Sequence, residues 1–413
     1  MKKVFVTGMG VISAIGNNTA ENLDHLRSGK TGIGPAKYVK SNYGQSHPFA
    51  EVKLSTDELK SQLNLKTTYG LTRTDYIAFT ALKEAIAHSN ITPEQVSSEQ
   101  TAFISASTIG GMCNADELYE DANLISSGSE FVESYTGSTH TLKIAKEYEL
   151  SGIVDVINTA CSSSANTIML GAKLIKSGRA TRAIVGGTDS IGKFSINGFN
   201  SLQIMSDTPC APFDANRKGL NLGEGAAYLI LESEDIVGDK ETYAEILGYG
   251  NSNDAFHPSS LSEDAVGVVE CISRALKSAQ INPSEVDYIN THGTATGNND
   301  MTELTGINKV FNGFPPFNST KSYTGHTLGA AGAIEAVYSI LSINNNELFP
   351  SLNCNTPIEP FNEFPIKEHK KAEIKTVLSN SFGFGGNCSS LIIRGTECEK
   401  VAMVECNNEK KHD

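Results

Sequence analysis

Short apolar runs recur at 102–104, 153–157, 183–185, 226–231 and 286–289, each bounded by polar or glycine-containing stretches. Runs this short and continuous predict buried strands. Between them, 76–86 and 265–279 carry apolar residues three and four apart, the period of a helix with one face on a core. The alternation predicts an α/β protein whose sheets are largely parallel and covered by helices. Residues 328–341 are apolar nearly all round and rich in Gly and Ala, which predicts a helix buried on every side. Near the start, Lys2 and Lys3 precede an apolar run over 4–15, but Gly8, Gly10 and Gly16 interrupt it. It reads as a first buried strand rather than an export leader. The Gly8-Met9-Gly10 step has Ser13 where a third glycine belongs and no acidic partner at the expected distance, so it is no dinucleotide fingerprint. No run reaches 18 apolar residues, and no membrane span or flexible linker is expected.

Composition narrows the class. The 413 residues suffice for two or three domains or one large α/β unit. Basic residues number 33 against 47 acidic ones, a net charge of −14 that disfavours nucleic acid and anionic lipid as partners. The eight cysteines contain no C-x-x-C pair, so neither a zinc site nor a disulfide framework is expected, and a reducing cytoplasmic location fits. Residues 154–159 (VDVINT) echo 286–291 (VDYINT), which raises an internal duplication with its seam in the charged stretch 232–240. Beyond 395 the chain turns charged and aperiodic, and 396–413 reads as a peripheral tail.

Three segments carry candidate chemistry. Asn158-Thr159-Ala160-Cys161-Ser162-Ser163-Ser164 lies between an apolar run and a helical pattern, so Cys161 falls at a helix start. Unpaired N–H groups and the macrodipole there bias a thiol toward thiolate. On this segment alone a buried structural cysteine explains the pattern as well. Thr291-His292-Gly293-Thr294-Ala295-Thr296 follows a strand, and strand ends are where α/β proteins place ligands. His326 precedes the apolar helix, whose one acid, Glu335, needs a partner if ionised. Lys321 is the candidate counter-ion. His25, His47, His88, His140, His369 and His412 have no such setting and receive no role. Asn380-Ser381-Phe382-Gly383-Phe384-Gly385-Gly386 follows another strand, and its glycines permit backbone N–H groups to point into a site, although a plain glycine turn reads the same.

In order and spacing, VTGMGVIS, NTACSSS, PFDANRKGLNLGEG, NTHGTAT, KSYTGHTLGAAGAIE and NSFGFGG resemble the β-ketoacyl-acyl-carrier-protein synthases, in particular their type II elongating branch. The resemblance covers roughly residues 1–395 and implies the thiolase-type fold, a duplicated five-layer α-β-α-β-α sandwich. It implies an N-terminal half over 1–240 carrying the nucleophile and a C-terminal half over 241–395 carrying two histidines. The helices after Cys161 and His326 would then be the equivalent pair, and the VDxINT echo would not be the repeat register. By the same resemblance Cys161 is the acyl-accepting nucleophile, and His292 and His326 serve malonyl decarboxylation with Lys321 and Glu335 behind them. The N–H groups of Cys161 and Phe384 form the oxyanion hole, with the Phe384 ring as gate. Thr294 and Thr296 bind pantetheine, and Ile109, Met112 and Phe199 line the acyl tunnel.

The implied partner is an acyl carrier protein bearing substrates on 4'-phosphopantetheine, with no tightly bound cofactor or metal. The implied assembly is a homodimer, with a heterodimer as alternative. Docking an acidic carrier needs a local basic patch, for which Lys66, Arg73, Lys173, Lys176 and Arg179 are candidates. The chain departs from the family pattern at Asn387-Cys388, where Thr-Asn is common, and at Gly297, where Pro is usual. Its NTACSSS and NGF surroundings are also similar to pigment-type enzymes that make aryl polyenes, so the extended chain is a fatty acid or such a polyene or polyketide. Two other readings are a non-catalytic chain-length subunit and a thiolase or cysteine hydrolase. Retaining Cys161, His292 and His326 argues against the first, and a pair of histidines with the GFGG turn fits decarboxylation better than the second.

Overall fold

Neighbouring residues along the inner strands face different cores, and that alternation sets the layering. The computed structural model describes residues 2–396, without the side chains of 114, 117–119 and 122; apart from Thr396, the tail expected at 396–413 lies outside the described residues. The strands are β1 (Val4–Ile12), β2 (Thr101–Ala106), β3 (Val154–Ile157), β4 (Arg182–Asp189), β5 (Gly225–Ser233), β6 (Ala244–Asn253), β7 (Tyr288–Asn290), β8 (Phe317–Asn318), β9 (Glu347–Leu348), β10 (Lys370–Lys371), β11 (Thr376–Phe382) and β12 (Asn387–Arg394). Ten form one sheet in the order β3-β2-β4-β5-β1-β6-β12-β11-β7-β8, while β9 and β10 pair apart. From either edge to the middle the order is the same: third, second, fourth, fifth and first strand of that half. The halves join where Phe5 and Val6 of β1 pair with β6.

On β2 and β4, Ala102, Ile104, Ala183 and Val185 join a cluster built on the helices Ser163–Lys176 and Ala331–Asn345. Their neighbours Phe103 and Ile184 join a second cluster, with Ile77 and Leu82 of the helix Arg73–Ser89. The C-terminal half repeats this: Val377 and Leu391 belong to the inner cluster, and Leu378 and Ile392 to a third, with Val268 and Leu304 of the helices Val266–Ala279 and Gly297–Phe311. Strands buried on both faces follow, and the layers stack as α-β-α-β-α. The two inner helices approach closely at Gly332, where a Cβ would stand 2.7 Å from the Ala165 nitrogen. Among the described residues no helix is long and apolar enough to cross a membrane.

Three expectations change. The sheet is mixed, not largely parallel: β2 runs parallel to β3 and β4, and β7 to β8 and β11, but β4–β5, β5–β1, β11–β12 and β12–β6 are antiparallel. Between β11 and β12 only a tight turn intervenes, and a connection that short reverses the chain. The run 153–157 is the outermost strand β3 and is half exposed rather than buried. The apolar helix predicted over 328–341 begins as a separate 3-10 turn, Leu328–Ala330, and continues as Ala331–Asn345. As for the echo, β3 is the third strand of its half and β7 the second, so the two segments are not equivalent. The equivalent elements are the two inner helices, each following the third strand of its half.

Candidate active site

Cys161 sits in the sharp turn between β3 and the helix Ser163–Lys176. Ala160 takes a left-handed backbone, φ 55°, and the Ser163 N–H donates to its carbonyl at 3.1 Å. The Thr159 N–H donates to the Ser163 hydroxyl at 2.9 Å, closing the turn from the other side. Gly383 of the 383–386 turn presses on it, since a Cβ there would stand 2.4 Å from the Thr159 oxygen and 3.2 Å from the Cys161 nitrogen. Burial pushes the Cys161 thiol up to about 11, outweighing the Lys321 charge and the Phe384 N–H on the sulfur, which both favour thiolate. The helix start therefore does not by itself yield a resting thiolate. Desolvation of the charged form is the larger effect.

His292 follows β7, and His326 follows the short helix Lys321–Thr324. The sulfur of Cys161 and one ring nitrogen from each histidine all lie within 4.8 Å of one another. The rings stand edge to face, with centroids 5.4 Å apart at 84°. His326 Nδ1 accepts from the Leu328 N–H at 3.3 Å, and His292 Nδ1 lies 3.3 Å from Lys321 Nζ. An Nδ1 that accepts leaves the ring proton on Nε2. Burial first, then the Lys321 charge, holds both imidazoles well below their ordinary value, so each is neutral at pH 7. The result is a pair of neutral N–H donors beside a sulfur. Three such residues could hold a metal ion in number, but a ligating imidazole needs a lone pair where these rings carry a proton.

Lys321 is hydrogen-bonded to Glu335, and both are buried. Glu335 is pushed up to about 7 by burial, against the pull of Lys321. Glu303 accepts the N–H groups of His292 at 2.9 Å and Gly293 at 2.8 Å, and the Asn380 amide at 3.2 Å, fixing the His292 loop. Asp189 accepts from the Thr108 hydroxyl at 2.7 Å, the Ile109 N–H at 3.1 Å and the Gly329 N–H at 2.7 Å, and so ties two distant loops together. Sequence reasoning missed both acids. The signal was there for Asp189, an acid four residues beyond the apolar run at 183–185 and the last residue of β4, but nothing in the pattern names its partners.

Two cavities meet at Cys161. One of about 240 Å³ is lined by His292, His326, Thr294 and Thr296, the last two joined hydroxyl to hydroxyl at 2.8 Å. The other, of about 350 Å³, is lined by Thr108, Ile109, Phe194, Gly198 and Leu328. Cys161, Phe199, Leu202 and Phe384 line both. Of the three tunnel candidates, Met112 is not on a wall; it packs beside the cluster that contains Ile109. Among the basic candidates, Arg73 is turned inward onto the buried Glu224, at 2.6 Å, and offers no docking charge. Lys66 pairs with Glu149 at 2.7 Å, Lys173 and Lys176 lie over the Tyr249 ring, and Arg179 is exposed.

Comparison with known proteins bears on this geometry. The family model described as beta-ketoacyl synthase, N-terminal domain, matches residues 1–235, and its C-terminal counterpart matches 243–355. The chain is 33% identical to the 3-oxoacyl-[acyl-carrier-protein] synthase 2 of Coxiella burnetii, covering 95% of this chain and 98% of that protein. Among solved structures it is similar to the ishigamide ketosynthase/chain length factor, with a TM-score of 0.91 at 27% identity, covering 96% of this chain and 99% of that one. It is also similar to a type II polyketide ketosynthase solved with its acyl-carrier protein and bound to the hexaketide, with a TM-score of 0.84 at 29% identity, covering 96% and 100%.

Proposed function

The chain belongs to the β-ketoacyl synthase family of acyltransferase-type condensing enzymes, and from that premise we propose that it joins malonyl units to an acyl chain held on Cys161, both delivered on the phosphopantetheine of an acyl carrier protein. The observation that carries this reading is the grouping of one sulfur and two imidazole nitrogens within 4.8 Å, beside the Lys321–Glu335 pair. Loading exchanges one thioester for another. The Cys161 sulfur attacks the carrier thioester, its proton leaves with the departing pantetheine thiol, and the N–H groups of Cys161 and Phe384 hold the oxyanion between. Malonyl thioester then loses carbon dioxide, and the electron pair of that bond forms an enolate whose oxygen accepts the two Nε2–H donors. The enolate carbon attacks the acyl carbonyl, Cys161 departs as thiolate and takes a proton from solvent, and 3-oxoacyl thioester remains on the carrier.

Neutral imidazoles suit this better than charged ones. An N–H donor stabilises the enolate in the transition state without first binding the malonyl carboxylate tightly as a cation would. The likeness to a ketosynthase/chain length factor at a TM-score of 0.91 favours a second form of the same reading, in which a polyene or polyketide chain is extended and the partner subunit is a chain-length factor rather than a second copy. Incubation with an acyl-carrier thioester followed by intact-mass spectrometry tests the chemistry. One acyl group should appear on Cys161 and vanish in Cys161→Ala; an adduct that survives the substitution would sink it.

A further inference from the structure

One residue links the two turns that carry the proposed oxyanion donors. The Asn387 backbone carbonyl accepts the Gly383 N–H at 2.8 Å and so closes the turn that carries Phe384. Its side-chain oxygen accepts the hydroxyl of Ser162, the residue after Cys161, at 2.8 Å. The Asn166 and Asn251 amides lie within reach of the same oxygen at 2.9 and 3.1 Å, and the Ser389 hydroxyl at 3.3 Å. Asn166 in turn donates to the Thr159 hydroxyl at 2.8 Å, on the other side of Cys161. Ser162 and Ser389 are fully buried, and Asn166 nearly so. Three elements, the helix Ser163–Lys176 with its turn, β6 and β12, are thereby pinned to one amide oxygen.

We propose that Asn387 is a positioning residue that sets the spacing of the Cys161 and Phe384 N–H groups, holding the nucleophile turn with its side chain and the Phe384 turn with its backbone. This inference rests on the condensing reading above. An oxyanion donor acts over a window of a few tenths of an ångström, so the anchor matters only to steps that pass through a tetrahedral oxyanion. It should not matter to a reaction at the same sulfur that forms none.

That difference supplies the test. The full chain is treated with hexanoyl-N-acetylcysteamine thioester, and separately with iodoacetamide, each followed by intact-mass spectrometry. Asn387→Leu should slow thioester acylation about tenfold or more relative to its own alkylation rate. Asn387→Asp, which keeps an acceptor at the same reach, should hold that ratio within about threefold of the unsubstituted chain. Ser162→Ala should lower the ratio in the same direction and add little on top of Asn387→Leu, as expected of two residues acting through one contact. Equal slowing of both reactions, or an unchanged ratio in Asn387→Leu, overturns the inference and leaves the condensing reading standing. An unsubstituted chain that alkylates but takes no acyl group overturns both.

Discussion

The rings of Phe199 and Phe384 stack at 5.7 Å where the two cavities meet at Cys161. The pair is thus a partition between a chamber lined by the histidines and threonines and one lined by Ile109 and Phe194. Phe384→Ala keeps the backbone N–H but removes the partition and the roughly 0.5–1.5 kcal/mol of the aromatic pair. Acylation of Cys161 should continue while condensed product falls about tenfold, because an open site no longer keeps water from the acyl-enzyme. Paired adduct and product assays decide it, and an unchanged product yield would count against the partition.

The pH dependence of loading follows from the thiol and the rings. Burial raises the Cys161 thiol to about 11, so its alkylation by iodoacetamide should climb steadily from pH 6 to 9, about tenfold per unit. Both imidazoles lie well below 6.5 and stay neutral across that range. No inflection near 6.5 should therefore appear in the rate. A break there would mean that a ring protonates next to the sulfur.

His140 links acid to unfolding. It is buried, with Nε2 2.8 Å from the Ser105 hydroxyl and Nδ1 3.0 Å from the Gly137 oxygen, and burial lowers it to about 4. Between pH 6.5 and 4 the unfolded chain takes up a proton at this site that the native one refuses, so stability is full above the window and is lost as pH falls through it. The contribution reaches about 3 kcal/mol. Urea titrations at several pH values should show a steeper acid slope for the native sequence than for His140→Gln; equal slopes would refute the assignment.

Gly332 tests the central layer. A methyl group there would sit 2.7 Å from the Ala165 nitrogen and 2.9 Å from its Cβ, where neither inner helix can move without disturbing a sheet. Gly332→Ala should cost about 1–3 kcal/mol in urea unfolding. A neutral or stabilising effect would show that the helices have slack.

Lys321→Met leaves Glu335 in the core without its partner, a change of the kind that costs about 3–5 kcal/mol when the carboxylate is charged. Protonating Glu335 removes that charge. Measured against Lys321→Met combined with Glu335→Gln, which keeps every other titrating group, the single variant should therefore regain stability as the pH is lowered through neutrality. Thermal melts of both variants from pH 5 to 8 measure this directly, and a gap between them that is the same at pH 8 as at pH 5 would contradict it.

Local order was legible in the chain itself. Apolar runs marked β2, β4 and β5, periodicity of three and four marked the helices Arg73–Ser89 and Val266–Ala279, and motifs of small and polar residues marked the turns around Cys161, His292 and Phe384. These depend on neighbours in sequence, and a sequence records neighbours. Strand direction was not legible, because the reversal from β4 to β5 and from β11 to β12 is a matter of where the chain returns in space. Nor was the state of the Cys161 thiol: the helix start favoured its charge, and the packing of a whole inner layer around it, absent from any local window, overrode that preference. The meeting of Cys161, His292 and His326, and the services of Glu303, Asp189 and Asn387 to the loops that hold them, arise from contacts between residues up to more than two hundred positions apart. Residue type and order determined which groups could do chemistry; only the closure of two similar halves on one another decided which of them touch.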